Sequence, residues 1–229
     1  MGAVVRRLAV AAAVSTLAAA LVWHQPPVRA LDVQRLRAAA SALGPRAEAG
    51  ARDLLALLGR IASADPLTQA REVNDFYNGR ILYATDRAVW KEDEYWASPL
   101  QTLDKGRGDC DDYVIAKYFT LVAAGIPHER LQMAYVKIAV PPGVPEQPGD
   151  TSAAHMVLAY YPQPGAEPLI LDNAVRQILP ASQRRDLSEP TSYLNAVEAR
   201  SGPDTRPRDP DRVFARWPNL KARAAAEGW

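Results

Sequence analysis

The hydrophobic pattern changes period at Gly125-Ile126-Pro127, and that change decides the fold class. Before it, apolar residues recur at helical spacing; after it, they alternate. Residues 32–43 predict a first helix, with Leu31, Leu36 and Leu43 among alanines, interrupted at Gly44-Pro45. Residues 46–62 predict a second, with Leu54, Leu57, Leu58 and Ile61 on its apolar face. Asp65-Pro66 opens a third as cap and first residue, and Gly79 is placed to end it. Residues 83–103 are aromatic and irregular. The best-defined helix spans residues 109–124; Gly125 stops it and Pro127 lies just beyond. Strands follow at 131–140, 155–161 and 169–172, separated by a proline- and glycine-rich loop and a turn at 162–167. Helices followed by antiparallel strands, rather than alternating units, give an α+β layout. The tail after Pro180 is polar, arginine-rich and proline-punctuated, which predicts short helices and loops.

The amino-terminal segment reads as an address rather than as part of the fold. Arg6 and Arg7 precede an apolar run, and Val28-Arg29-Ala30 supplies small residues where a signal peptidase cuts. The expectation is a signal peptide over residues 1–30, an uncleaved anchor being the alternative, and a single domain over residues 31–229 outside the cytoplasm. Cleavage removes three arginines and no acid, taking the formal charge from +1 to −2. Neither value is a nucleic-acid footprint. His24 leaves too, so His128 and His155 are the histidines of the mature chain.

The sequence holds one cysteine, so no internal disulfide is possible. Cys110 sits at the start of the best-defined helix, where unpaired N–H groups and the helix dipole favour a thiolate. A small apolar cysteine packing the helix is the alternative. The neighbours Gly108-Asp109 and Asp111-Asp112 make this a polar helix start and favour the reactive thiol. Gly106 and Gly108 would let the backbone turn sharply and admit a substrate. A thiolate needs a base, usually a histidine oriented by a third group. Pairing across a turn near Gln163-Pro164 puts His155 opposite or nearly opposite Asp172, within side-chain reach. His128 lies at the far end of the helix, about 20 Å from its start, and reads as a surface loop residue. For the oxyanion, the Cys110 backbone N–H is one donor; Trp96 and Asn78 are candidates for the second.

Three acids around one thiol raise its pKa unless something offsets them. A hard cation such as calcium would do so. Simple helix-start acidity, needing no ion, is the alternative. The D-C-D-D spacing fits no EF-hand loop. One cysteine and two distant histidines argue against zinc.

The stretch from Gly108 to Tyr118 (GDCDDYVIAKY) resembles the nucleophile motif of bacterial transglutaminase-like cysteine proteinases, the LapG family. Ala154-His155-Met156-Val157-Leu158-Ala159-Tyr160-Tyr161 and Leu171-Asp172-Asn173 match its later blocks. Val73-Asn74-Asp75-Phe76-Tyr77-Asn78 and Tyr95-Trp96-Ala97-Ser98-Pro99 are similar to its upstream pattern. The resemblance runs from about Glu72 to Leu187 and implies a catalytic core of about residues 66–187. It implies a papain- or transglutaminase-like fold, a helical amino-terminal lobe with the nucleophile helix packed on an antiparallel sheet. The implied enzyme is a periplasmic, calcium-dependent endopeptidase with Cys110 as nucleophile, His155 as base and Asp172 as its orienter. Asp109, Asp111 and Asp112 match the acidic positions that bind calcium. The implied substrate is a large surface adhesin, cut near its amino-terminal end at a dialanine, which releases the cell from a biofilm. The implied partner is the periplasmic domain of an inner-membrane cyclic-di-GMP receptor. One position departs from the family: a glutamate commonly follows the cysteine, and here it is the shorter Asp111. Two other activities fit the same residues, a transglutaminase-type acyl transferase and a non-catalytic receptor-binding module.

Overall fold

The computed structural model describes residues 31–140, 151–188, 190, 192–194 and 210–229. The expected signal segment and most of the expected loop at 141–152 lie outside the described residues. Helices α1 (Val33–Leu43), α2 (Pro45–Ile61) and α3 (Pro66–Arg80) lead the chain. Asp32 caps α1 and Asp65 caps α3, each accepting backbone N–H groups of the first turn. Gly79 does not end α3, which runs on through Arg80. Strand β1 (Leu82–Tyr83), helix α4 (Asp86–Val89) and helix α5 (Pro99–Lys105) make up the aromatic stretch. Ser98 and Gln101 close a capping box on α5, and Gly106 ends it in the left-handed region at φ 61°. The expected glycine turn is in part a strand: β2 (Arg107–Gly108) pairs parallel with β1.

Helix α6 (Cys110–Ala123) follows at once and is buried along most of its length. Val114, Ile115 and Leu121 pack into the main core with Leu54, Leu57 and Tyr77 of α2 and α3. Strands β3 (Leu131–Ala139), β4 (Ser152–Tyr160), β5 (Leu169–Leu171), β6 (Leu179–Pro180) and β7 (Ser192–Leu194) form an antiparallel sheet in the order β6-β5-β4-β3-β7. Alternation sorts the sheet into two faces. Met133, Met156, Leu158, Tyr160 and Leu171 join the helices in the main core. Ala134, Val136, Val157, Ala159 and Ile170 form a smaller cluster on the other face. The nucleophile helix is therefore packed on an antiparallel sheet under a helical amino-terminal lobe, the α+β arrangement that the pattern predicts.

The tail departs from expectation. Residues Pro210–Ala226 form a long helix, α7, in place of short pieces and loops. Trp217, Leu220 and Ala224 bury one stripe of it. Trp217 makes aromatic contacts with Trp96, Tyr118 and Phe119. Glu227 Oε1 accepts from Ser98 Oγ at 2.6 Å, and Asp32 donates its backbone N–H to the Gly228 carbonyl at 2.8 Å. The end of the chain thus braces residues 96–98 and the start of α1. Trp217→Ala is expected to cost about 3 kcal/mol, the usual scale for removing a buried aromatic ring. Urea unfolding of the two proteins measures the difference.

Candidate active site

Cys110 is the first residue of α6, with Asp109 as N-cap in extended backbone; the Asp109 carboxylate accepts the Asp111 N–H at 3.1 Å. The thiol is half-buried, and the Met156 backbone N–H faces the sulfur. Met156 directly follows His155, so the sulfur lies against the part of β4 that carries the histidine. Cys110 and His155 both line a cavity of about 560 Å³, together with Tyr83, Ile138, Ser152 and Asn173.

His155 is buried, and its Nε2 is 2.8 Å from Asp172 Oδ1. The register differs from the expected one. Leu158 pairs with Leu171 and Tyr160 with Leu169, so continuing the ladder sets Asp172 across from Val157. The hairpin turns one position later than expected, at a Gly165 with φ 76°. Asp172 is therefore a diagonal neighbour of His155 on the same face, still in reach of an imidazole. Two backbone contacts fix it. The Ala174 N–H donates to Oδ1 at 3.0 Å, and Asn78 Nδ2 donates to the Asp172 carbonyl at 2.7 Å. Burial raises the Asp172 pKa, but hydrogen bonds from His155, Ala174 and Arg184 outweigh it and hold the carboxylate at about 2. An ionised Asp172 takes the Nε2 proton as its donor, which leaves Nδ1 as the basic nitrogen of a neutral ring.

The acids split into two groups. Asp109 and Asp111 share the first with Cys110. The Asp111 carboxylate accepts from Trp96 Nε1 at 2.9 Å and from Cys110 Sγ at 3.6 Å. In the second group, Asp86, Asp109 and Asp112 bring carboxylate oxygens within 4.8 Å of one another. Asp86 Oδ2 accepts the Tyr95 N–H at 2.6 Å and Asp112 Oδ1 the Ala97 N–H at 2.9 Å. Their other oxygens, Asp86 Oδ1 and Asp112 Oδ2, are buried without a hydrogen-bond partner. Burial first, then neighbouring carboxylates, pushes Asp109 up to about 8 and Asp112 well above the usual carboxylate range. Burial likewise takes Asp111 to about 6. Burial, Asp111 and Asp109 push the Cys110 thiol well above its ordinary value.

Hard oxygen donors, two of them buried and unpaired, form a set that suits calcium. Gly108 leaves room for it: a Cβ there would sit 2.5 Å from Asp112 Oδ2. Its lack of a side chain therefore serves the carboxylate rather than a passing substrate.

The structure adds two residues to the site and removes one oxyanion candidate. Asp86, far upstream on α4, joins the acidic cluster. Trp96 Nε1 is committed to Asp111 and is no spare oxyanion donor, whereas Asn78 Nδ2 gives one of its two N–H groups to the Asp172 carbonyl and keeps the other. Arg184, unmarked in the sequence, is buried against Asp172. His128 keeps its expected place beyond the far end of α6, beside Glu129.

Comparison with known proteins gives a consistent answer. The sequence profile of the bacterial transglutaminase-like cysteine proteinases (BTLCP) matches residues 59–186. Among solved structures, Legionella pneumophila LapG is similar at 31% identity and a TM-score of 0.68, covering 86% of this chain and 99% of that one. Its EGTA-treated form matches at 31% identity and 0.67, with the same coverage. Its calcium-bound form matches at 30% and 0.65, covering 83% and 98%. Among curated proteins, none matches the chain.

Proposed function

The chain belongs to the bacterial transglutaminase-like cysteine proteinases, and from that premise we propose a calcium-dependent periplasmic endopeptidase that cuts a large surface adhesin. The carrying observation is that Cys110 and His155 line one cavity, with the buried Asp172 bonded to the histidine behind it. Cys110 attacks the scissile carbonyl while His155 Nδ1 takes the thiol proton and returns it to the leaving amine. Asp172 holds Nε2–H and steadies the imidazolium. The backbone N–H of Cys110, at the start of α6, faces the developing oxyanion. Water then releases the acyl group from the sulfur.

Asp86, Asp109 and Asp112 would hold a calcium ion, with Asp111 at its edge. The bound ion would offset the carboxylate charge that otherwise disfavours the thiolate. LapG has been solved both calcium-bound and EGTA-treated, which supports the ion. Residues 1–30 serve as the signal segment that delivers the domain across the inner membrane. In the periplasm, a cyclic-di-GMP receptor's periplasmic domain is the partner that restrains it.

The test is incubation with an amino-terminal adhesin fragment bearing a dialanine site. Calcium-loaded protein is expected to release two discrete products, and EGTA to stop the cut. An uncut fragment with calcium present overturns the proposal.

A further inference from the structure

The catalytic carboxylate has a second buried partner that the mechanism leaves unused. Arg184 is 3% exposed, although it follows a surface turn in an arginine-rich tail. Its Nη2 donates to Asp172 Oδ2 at 2.7 Å, the oxygen that His155 does not use. The same guanidinium grips Asp186, with Nε to Oδ1 at 2.9 Å and Nη2 to Oδ2 at 2.7 Å. Asp186 is in turn tied to the cavity wall. Its carbonyl accepts the Ala139 N–H at 2.7 Å, and Leu187 bridges to Ile138, which lines the Cys110 cavity. Arg184 therefore links the catalytic carboxylate to the strand that shapes the cavity.

We propose that Arg184 is a positioning residue that completes a Cys110–His155–Asp172–Arg184 relay, fixing the Asp172 carboxylate plane so that one oxygen always meets His155. Without Arg184 both remaining contacts to the carboxylate, from His155 and the Ala174 N–H, fall on Oδ1, and nothing among the described residues holds Oδ2 against rotation about χ2. The fork on Asp186 fixes the guanidinium plane, and Nη2 then delivers one directed N–H to Asp172 Oδ2, a geometry that a point charge would not impose. The inference rests on the triad reading above.

The charges facing Asp172 set the sign of the test. His155 comes from β4 and Arg184 from the tail. Lys117, fully buried on α6, acts on it from beneath. Asp75 of α3 faces Lys117, and Asp186 faces Arg184. Removing the Arg184 cation leaves the site more negative, so the imidazolium of His155 is favoured and its pKa rises.

The experiment is a 15N-histidine NMR titration of the mature chain, with His128 as internal control. Arg184→Met is expected to move the His155 titration up by about one unit and leave His128 in place. With a dialanine peptide, kcat is expected to fall about 100-fold with KM within about twofold. Arg184→Lys restores part of the kcat, and guanidinium added to Arg184→Ala restores more. Asp186→Asn, which cuts only the outer half of the clamp and removes an anion rather than a cation, gives a smaller shift in the opposite direction and serves should Arg184→Met fail to fold. An unmoved His155 titration in folded Arg184→Met, or in folded Asp186→Asn if only that variant folds, overturns the proposal. The titration needs no substrate, so this failure is distinct from failure of the proteinase reading.

Discussion

Cys110→Ser protein is expected to leave an adhesin fragment uncut while melting within about a degree of wild type. The residue is half-buried at the wall of a cavity, packed against the edge of the main core, and its sulfur donates to Asp111. A serine hydroxyl can still donate to Asp111, so folding loses little. Turnover loses the nucleophile, because a serine hydroxyl in this acidic setting is far less ionised than a thiol. The expected fall in kcat/KM is at least about 10⁴-fold. His155→Ala is expected to cost a similar factor, and the double variant no more than either alone, since the two act as a unit. Asp172→Asn differs from both. It too lowers kcat by about 10³–10⁴-fold through the ring's tautomer. It also lowers the melting temperature, because Arg184 loses its buried counter-charge. Gel cleavage assays and thermal melts on the four variants and wild type read these outcomes. A Cys110→Ser protein that still cuts would transfer the chemistry elsewhere, and a wild type that never cuts would favour a receptor-binding module of the same fold.

How much of this was legible in the sequence depends on how local each signal is. The start of α6 was readable because cap, glycines and apolar spacing all lie within a few residues. The His155–Asp172 pair was readable as a hairpin, but its register depends on where the turn closes. Gly165 in the left-handed region moves the centre by one position and turns an opposed pair into a diagonal one. Asp86 left no linear trace, since only the packing of α4 against β2 brings it to Asp109. Nothing distinguishes Arg184 from Arg185 in sequence; the fold turns the first inward and leaves the second exposed. The terminal helix did carry a signal. Trp217, Leu220 and Ala224 stand at helical spacing, and the prolines and arginines around them masked it.

The same acidic cluster makes a second prediction whose sign separates an ion site from ordinary helix-start acidity. In the ion-free protein, Asp86, Asp109 and Asp112 crowd together, and full ionisation costs energy through burial and mutual repulsion. On the proposed reading calcium binds the folded arrangement and not the unfolded chain, so saturating it is expected to stabilise by about 3 kcal/mol at a hundredfold excess over Kd. For a chain of this size that is a rise of roughly 6–12 °C in Tm, reversed by EGTA. Asp112→Asn keeps an oxygen for the Ala97 N–H and removes one charge. It is therefore expected to melt at or above wild type in EGTA, yet to gain little from calcium. Asp86→Asn should behave alike, because its carboxylate also spends one oxygen on a backbone N–H and leaves the other unpaired. Both variants are expected to lose at least about 100-fold in calcium-stimulated cleavage, since the charge beside Cys110 is no longer offset by an ion. Helix-start acidity alone predicts the reverse pattern: no calcium response in wild type, and a loss of stability in each variant whatever the buffer. Thermal melts of the three proteins in calcium and in EGTA decide between them.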